Sequence, residues 1–198
     1  MRRTILLSLV IASLMLLGGG RVFPWGGGEQ VPSDFVTGGG FIFCTPSGGR
    51  GNFGVGGGVK NGAFWGHLNY LDHDMGLHVK GTSVTDYLRV GTDGTDSKGR
   101  LTGTRDICGV GVSNLFGDIC YRVRVADNGE PGRNDHFGIR VTNCHGTILY
   151  NTNSTQSDGT CDLGAPGDAT PAGGNIQLHK GNSSNVPPPP DSGDCHDA

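Results

Sequence analysis

From Phe35 onward apolar residues recur at every second position, in short runs. Phe53, Val55 and Val59 share one parity in "NFGVGGGVK", Leu68 and Tyr70 in "HLNYL", and Leu77 and Val79 in "GLHVK". Tyr121, Val123 and Val125 alternate with Arg122 and Arg124. Phe137, Ile139 and Val141 alternate with Gly138, Arg140 and Thr142, and Ile176 and Leu178 with Asn175, Gln177 and His179. A period of two marks strands with one buried and one wet face. No stretch here keeps the 3.6-residue spacing of an amphipathic helix. Asp-, Asn- and Gly-rich turns separate the runs: "DHDMG", "GTDGTDSKG" and "DNGEPGRND". The pattern predicts an all-β domain over residues 35–180, an antiparallel sandwich or barrel of about nine to ten strands.

One hairpin can be registered from the pattern alone. With the turn at residues 73–76, Asp72 faces Leu77, Tyr70 faces Val79 and Leu68 faces Gly81. Leu68, Tyr70, Leu77 and Val79 then form an apolar face, while His67, Asn69, His78 and Lys80 lie on the other. In this register His67 faces Thr82 and His78 faces Leu71, about 13 Å apart along the strand, too far to share one zinc ion. Asp72, His73 and Asp74 ride the turn. They are the candidates for a metal-assisted hydrolytic centre, against the plainer reading of Asx-type turn bonding and a solvated imidazole.

Composition adds compartment. Glycine supplies 38 of 198 residues, which disfavours long helices and suits bends and close strand crossings. The triplets at 38–40 and 56–58 read as such crossings. Arg2 and Arg3 precede the mostly apolar residues 4–17, so residues 1–20 have the form of a signal peptide, shorter than a usual bilayer span, with an uncleaved amino-terminal anchor as the alternative. Residues 21–34 read as a flexible lead-in. Residues 181–198, with prolines at 187–190, read as a flexible tail without a core, unless Cys195 ties it down. Two of the 15 Lys and Arg fall in the leader, against 18 Asp and Glu outside it, so the mature chain carries a net charge of −5. That argues against a nucleic-acid partner, and the mature chain holds no membrane span.

The six cysteines behind a leader read as disulfides formed outside the cytoplasm. Strand parity turns Cys108 and Cys120 away from the core at the two ends of "GVGVSNLFGDI", so Cys108 with Cys120 is the natural bridge. Cys144 and Cys161 bracket a second loop candidate, and Cys44 and Cys195 are left over, so the full connectivity stays open.

The loop "DNGEPGRND" offers Asp127, Asn128, Glu130 and Asp135 as oxygen ligands. Calcium is the one cofactor the chain would take there, at a spacing unlike an EF-hand. The alternative is a connecting loop shaped by Asn128-Gly129 and Pro131. No nucleophile elbow or H-E-x-x-H motif occurs, and Thr82, Ser83 and Ser113 lack a marked base. Trp25 and Trp65 are candidates for carbohydrate stacking or for packing. Asn153-Ser154-Thr155 and Asn182-Ser183-Ser184 have the form of glycosylation sequons.

Taken in order, "VTGGGFI", "NFG", "GHLNYLDH", "HVKGTSVT", "VADNGEPGRNDHFGIRV" and "GGNIQLHK" resemble the post-COAP domain, a β-rich domain of secreted bacterial proteins. The resemblance spans roughly residues 36–180. It implies a secreted or cell-surface β module with an extracellular partner, no assigned enzyme activity and no catalytic set. Cys44, Cys108, Cys120, Cys144 and Cys161, and the longer loops at 109–118 and 151–165, depart from that pattern and suggest a disulfide-hardened, freestanding variant. The expectation is a non-catalytic binding or structural domain, with a calcium-stabilised module and a hydrolase as alternatives.

Overall fold

A computed structural model describes residues 31–152, 159–163, 173–181 and 186–197. The proposed leader, Trp25 and both sequons lie outside the described residues. The chain forms strands β1 (Phe35–Ile42), β2 (Gly51–Lys60), β3 (Ala63–Asp72), β4 (Leu77–Thr95) and β5 (Leu101–Ser113). There follow β6 (Gly117–Asp127), β7 (His136–Thr142), β8 (Ile148–Asn151), β9 (Cys161–Asp162) and β10 (Gly174–His179). A 3₁₀ turn at Gly132–Asn134 precedes β7, and a single helical turn, α1 (Asp194–Asp197), lies near the carboxyl end.

All ten strands belong to one antiparallel sheet, in the order β10-β1-β2-β3-β4-β5-β6-β7-β8, with β9 also paired to β7. The run from β1 to β8 is a meander, as period-two segments joined by short turns favour. Asn61 and Gly62, at φ 52° and 73°, make the two-residue turn between β2 and β3. The predicted β3–β4 register is present: Asp72 opposite Leu77, Tyr70 opposite Val79 and Leu68 opposite Gly81. Strand β4 shifts register against β5 at three places, and such bulges bend and twist a long strand.

The sheet curls without closing into a barrel. Phe53 of β2 stacks on Phe137 of β7, with ring centroids 3.9 Å apart, so the two halves of the sheet face each other across one core. The glycine triplets lie where backbones crowd. A Cβ on Gly57 would stand 2.7 Å from Ile107 Cγ2, and one on Gly40 would stand 2.2 Å from the Gly173 carbonyl oxygen. Where the sheet's ends approach, carboxylates replace a missing strand. Asp127 accepts from the Leu178 amide at 2.7 Å and Asp135 from the Ile176 amide at 2.7 Å, both on the outer edge of β10.

The outer sheet face is not uniformly wet. Asp106 joins Arg122 at 2.6 Å and Arg124 at 2.7 Å, all three buried. Burial first, then Arg122 and Arg124, push the Arg140 guanidinium down to about 10. The tail explains the burial: it lies on the β4–β5–β6 face as a strap. Arg122 donates to the Cys195 carbonyl at 2.7 Å, and Leu88, Cys108 and Cys195 form a small second core with Val31 against it. The reading of residues 181–198 as a free tail is therefore corrected for 186–195. The lead-in reading is likewise corrected for Asp34, which is buried against Arg105.

The two bridges read from the sequence, Cys108 with Cys120 and Cys144 with Cys161, are corrected, and the leftover Cys44 and Cys195 do not pair with each other. The bridges join Cys44 to Cys161, Cys108 to Cys195 and Cys120 to Cys144. Residues 109–118 are the ends of β5 and β6, not a loop. Their register sets Cys108 opposite Arg122 and Cys120 opposite Val110. The two cysteines are thus diagonal neighbours, roughly 7–8 Å apart and beyond ordinary disulfide reach. Cys120 instead sits opposite Thr142, with Cys144 just past the end of β7. Cys161 pairs with Phe137 at the far end of the same strand, roughly 20 Å from Cys144 at strand rise.

Candidate binding cleft

Strand register builds a row of residues on the outer face. His179 of β10 stands opposite Phe35 of β1, Phe35 opposite Gly58 of β2, and Gly58 opposite Trp65 of β3. Val36 and Leu178, the neighbours of opposite parity, are buried in the core. The absent side chain at Gly58 makes room: a Cβ there would stand 2.4 Å from Phe35 Cβ. Phe35 stacks on the His179 ring at 4.5 Å and 12°, and meets Trp65 at 5.7 Å and 55°. Thr37 and His179 Nε2 share a hydrogen bond of 2.9 Å, which fixes the imidazole plane.

Phe35 is the common wall of two cavities. The first, of about 260 Å³, lies beside the β2–β3 turn and is lined by Trp65, Val59, Lys60, Gly62 and, from the strap, Val186. Trp65 Nε1 is itself buried, away from the cavity surface, and has no hydrogen-bond acceptor among the described residues. The second, of about 480 Å³, lies between the β4–β5 turn and β10. Its polar lining includes Asp96, Arg100, Glu130, Gln177, His179 and Lys180. Small-ligand sites commonly span about 300–1,000 Å³, so the pair is of useful size.

The polar groups are held in place by their neighbours. Asp96 accepts from the Lys98 and Arg100 amides and pairs with the Arg100 guanidinium at 2.6 Å. The Arg100 amide first, then the guanidinium, hold its carboxyl below the usual range. Glu130 accepts from Gln177 at 3.0 Å and Asn175 at 3.2 Å, which lower its pKa. Behind the cleft Arg105 is buried between Asp34 and Asp93, at 2.6 and 2.7 Å. Burial opposes its charge, but the two carboxylates more than offset that and raise its pKa. The Tyr87 hydroxyl donates to Asp34 at 2.8 Å.

The loop singled out as a calcium site forms one rim, and its oxygens already accept N–H donors. Asp127 takes the Gly129 and Leu178 amides, Asp135 those of Asn128 and Ile176, and Asn128 donates to the Asn134 carbonyl. Burial foremost, with the charges of Asp127 and Glu130, raises Asp135 to about 6. The ligand set is thus spread along a seam that ties β10 to the β6–β7 loop.

The three histidines do not converge. His73 meets Asn52 at 3.1 Å, His78 meets Asn69 at 2.5 Å, and His67 is exposed on the outer face of β3. Among the described residues no three His, Cys, Asp or Glu side chains gather as potential metal ligands. Asp74 is exposed, but Asp72 is wholly buried. Its Oδ1 accepts the Asp74 and Met75 amides, the expected Asx bonding, and its Oδ2 accepts the Tyr150 hydroxyl at 2.9 Å.

Of the cleft residues, the sequence reading had singled out Trp65, Asp127 and Glu130. Phe35 and His179 were missed. Both are rings at outward parity positions, a local signal that was present, but only long-range register aligns them. Among protein-family models, curated proteins and solved structures, the chain matches none.

Proposed function

We propose that the protein is a secreted, non-catalytic β module that binds a small ligand at the cleft on either side of Phe35. The row His179–Phe35–Trp65 between two adjoining cavities carries this reading. Three disulfides among the described residues and the likeness to the post-COAP domain support an extracellular site of action. The acids lining the cleft favour binding over catalysis. A general acid needs a pKa raised toward the working pH, whereas Glu130 and Asp96 are held low. Asp135, the raised carboxyl nearby, is wholly buried. Rings and fixed donors on rigid strands suit recognition.

The test is a thermal-shift screen across sugars, acyl chains, amino acids and nucleotides. At least one class raises Tm, and the shift disappears in Phe35→Ala. No shift from any class at millimolar concentration, with Phe35→Ala still folded by circular dichroism, removes the reading.

A further inference from the structure

The two cavities differ in chemistry, and a ligand bridging them across Phe35 must suit both. One side offers an apolar wall with an indole, and beyond it the imidazole and phenyl rings stack as a ledge. The other offers carboxylates, an amide, a guanidinium and an ammonium in a small space. Carboxylates only accept hydrogen bonds, guanidinium and ammonium groups only donate, and amides do both. A lipid chain would bury the polar side without partners, at about 1–3 kcal/mol for each unsatisfied group. A multiply charged ligand would meet charges of both signs. Sugars meet both demands: the C–H face of a pyranose lies flat on an aromatic ring, while its hydroxyls each donate and accept.

We propose that the cleft binds a neutral oligosaccharide, with sugar rings against Trp65 and His179 and hydroxyls toward Gln177, Glu130 and Arg100. This rests on the binding-module reading above and gives it a ligand class. His179 and Trp65 stand in register three strand spacings apart, roughly 14 Å at about 4.8 Å per strand, longer than a single sugar ring, so the ligand is an oligomer. Glu130 stays ionised through its amide partners, and so stays an acceptor for hydroxyl donors.

The full mature chain is titrated with neutral oligosaccharides of increasing length, read by calorimetry and by tryptophan fluorescence. Affinity rises from mono- to oligosaccharide. Phe35→Leu and Trp65→Leu keep apolar bulk but remove the rings, and each weakens binding at least tenfold. Gln177→Ala, at an exposed side chain whose removal leaves the fold intact, weakens it several-fold. Leu115→Ala, on the β5–β6 turn, leaves it unchanged. If an acyl or peptide probe binds with the same Phe35 dependence and sugars do not, the carbohydrate assignment falls and the binding module stands. If no class binds, both fall. If sugars bind but the ring-less variants bind equally well, the site is elsewhere and the proposal is overturned.

Discussion

Asp72 shows how a residue's role depends on what covers it. Its place at the β3–β4 turn pointed to Asx-type turn bonding or to a metal-assisted hydrolytic centre; the Asx bonds form, and Tyr150 from β8 folds over the carboxylate and leaves it no exposed surface. Tyr150 gives its proton to Asp72, so the Tyr70 hydroxyl, 2.6 Å from that of Tyr150, must donate to it in turn. Burial, before any other cause, drives both tyrosines far above their ordinary range, so the chain of donors stays protonated and ends on the carboxylate. Its members are therefore unequal. Tyr70→Phe deletes one terminal donor and costs about 1 kcal/mol, whereas Tyr150→Phe strands both Asp72 Oδ2 and the Tyr70 hydroxyl and costs roughly 2–3 kcal/mol. Urea unfolding of the two variants measures the difference. Equal costs, or a larger loss in Tyr70→Phe, contradict this order of donation.

At the scale of elements, β10 is held by different means on its two edges. One edge pairs with β1 through the backbone, and the other meets side chains of Asp127 and Asp135. The amides of Ile176 and Leu178 point to the carboxylates, so the Gln177 amide between them points to β1. Asp127→Ala or Asp135→Ala leaves one buried N–H without an acceptor, a loss of about 1–3 kcal/mol. Hydrogen exchange then quickens at Leu178 or Ile176 respectively, while Gln177 keeps most of its protection; uniform quickening along β10 refutes the seam. None of this was legible beforehand, because the carboxylates and their amides are 41 and 51 residues apart in sequence. The β3–β4 hairpin was legible to the residue, since a short turn and the parity of Leu68, Tyr70, Leu77 and Val79 fix a register between them. The β5–β6 hairpin was not. Gly109 and Gly111 disguised strand as loop, and the true pairing is offset by two from one that would align Cys108 with Cys120. Cys195 marked the tail as a segment that a disulfide could tie down, as it does, but the strap's course was not legible because the prolines at 187–190 carry no periodicity and period-two logic assumes a wet outer face. Arg122 and Arg124 broke that assumption, because the strap and their buried partner Asp106 cover them. The cleft was half legible: Trp65 stood out by type, but its row with Phe35 and His179 exists only once β10, β1, β2 and β3 lie side by side.

For the whole molecule, the places where the curled sheet is sealed share one electrostatic sign. Asp135 sits at the β10 seam, and Asp86 lies buried beneath the strap, where its carboxyl meets that of Asp191. Burial first, then the Asp191 carboxyl, raise Asp86 from 3.8 to about 6, and Asp135 rises equally, chiefly by burial. Each group therefore holds a proton in the folded chain at pH values where the unfolded chain has lost it. The folded state binds more protons between about pH 4 and pH 6, so stability falls as pH rises through that window and is greatest at its acid end. Glu130 and Asp96 act in the opposite sense, and because their pKa values are depressed that loss falls at the acid end of the window and below it. Allowing for solvent screening, Asp86 and Asp135 contribute on the order of 1 kcal/mol each, or roughly 5 °C in Tm together for a chain of this size. Melting followed from pH 8 to pH 4.5 at constant ionic strength should show Tm rising on acidification. The variant carrying both Asp86→Asn and Asp135→Asn keeps an acceptor oxygen at each site but has no proton to bind, so its profile is flat over the same range. A parent profile that falls toward pH 5, or a double variant that keeps the slope, would show that strap and seam are not under proton control. The expected result is a protein whose two closures, one on the outer face of the sheet and one along the edge of β10, tighten together in mildly acidic surroundings without any rearrangement of the disulfides that frame them.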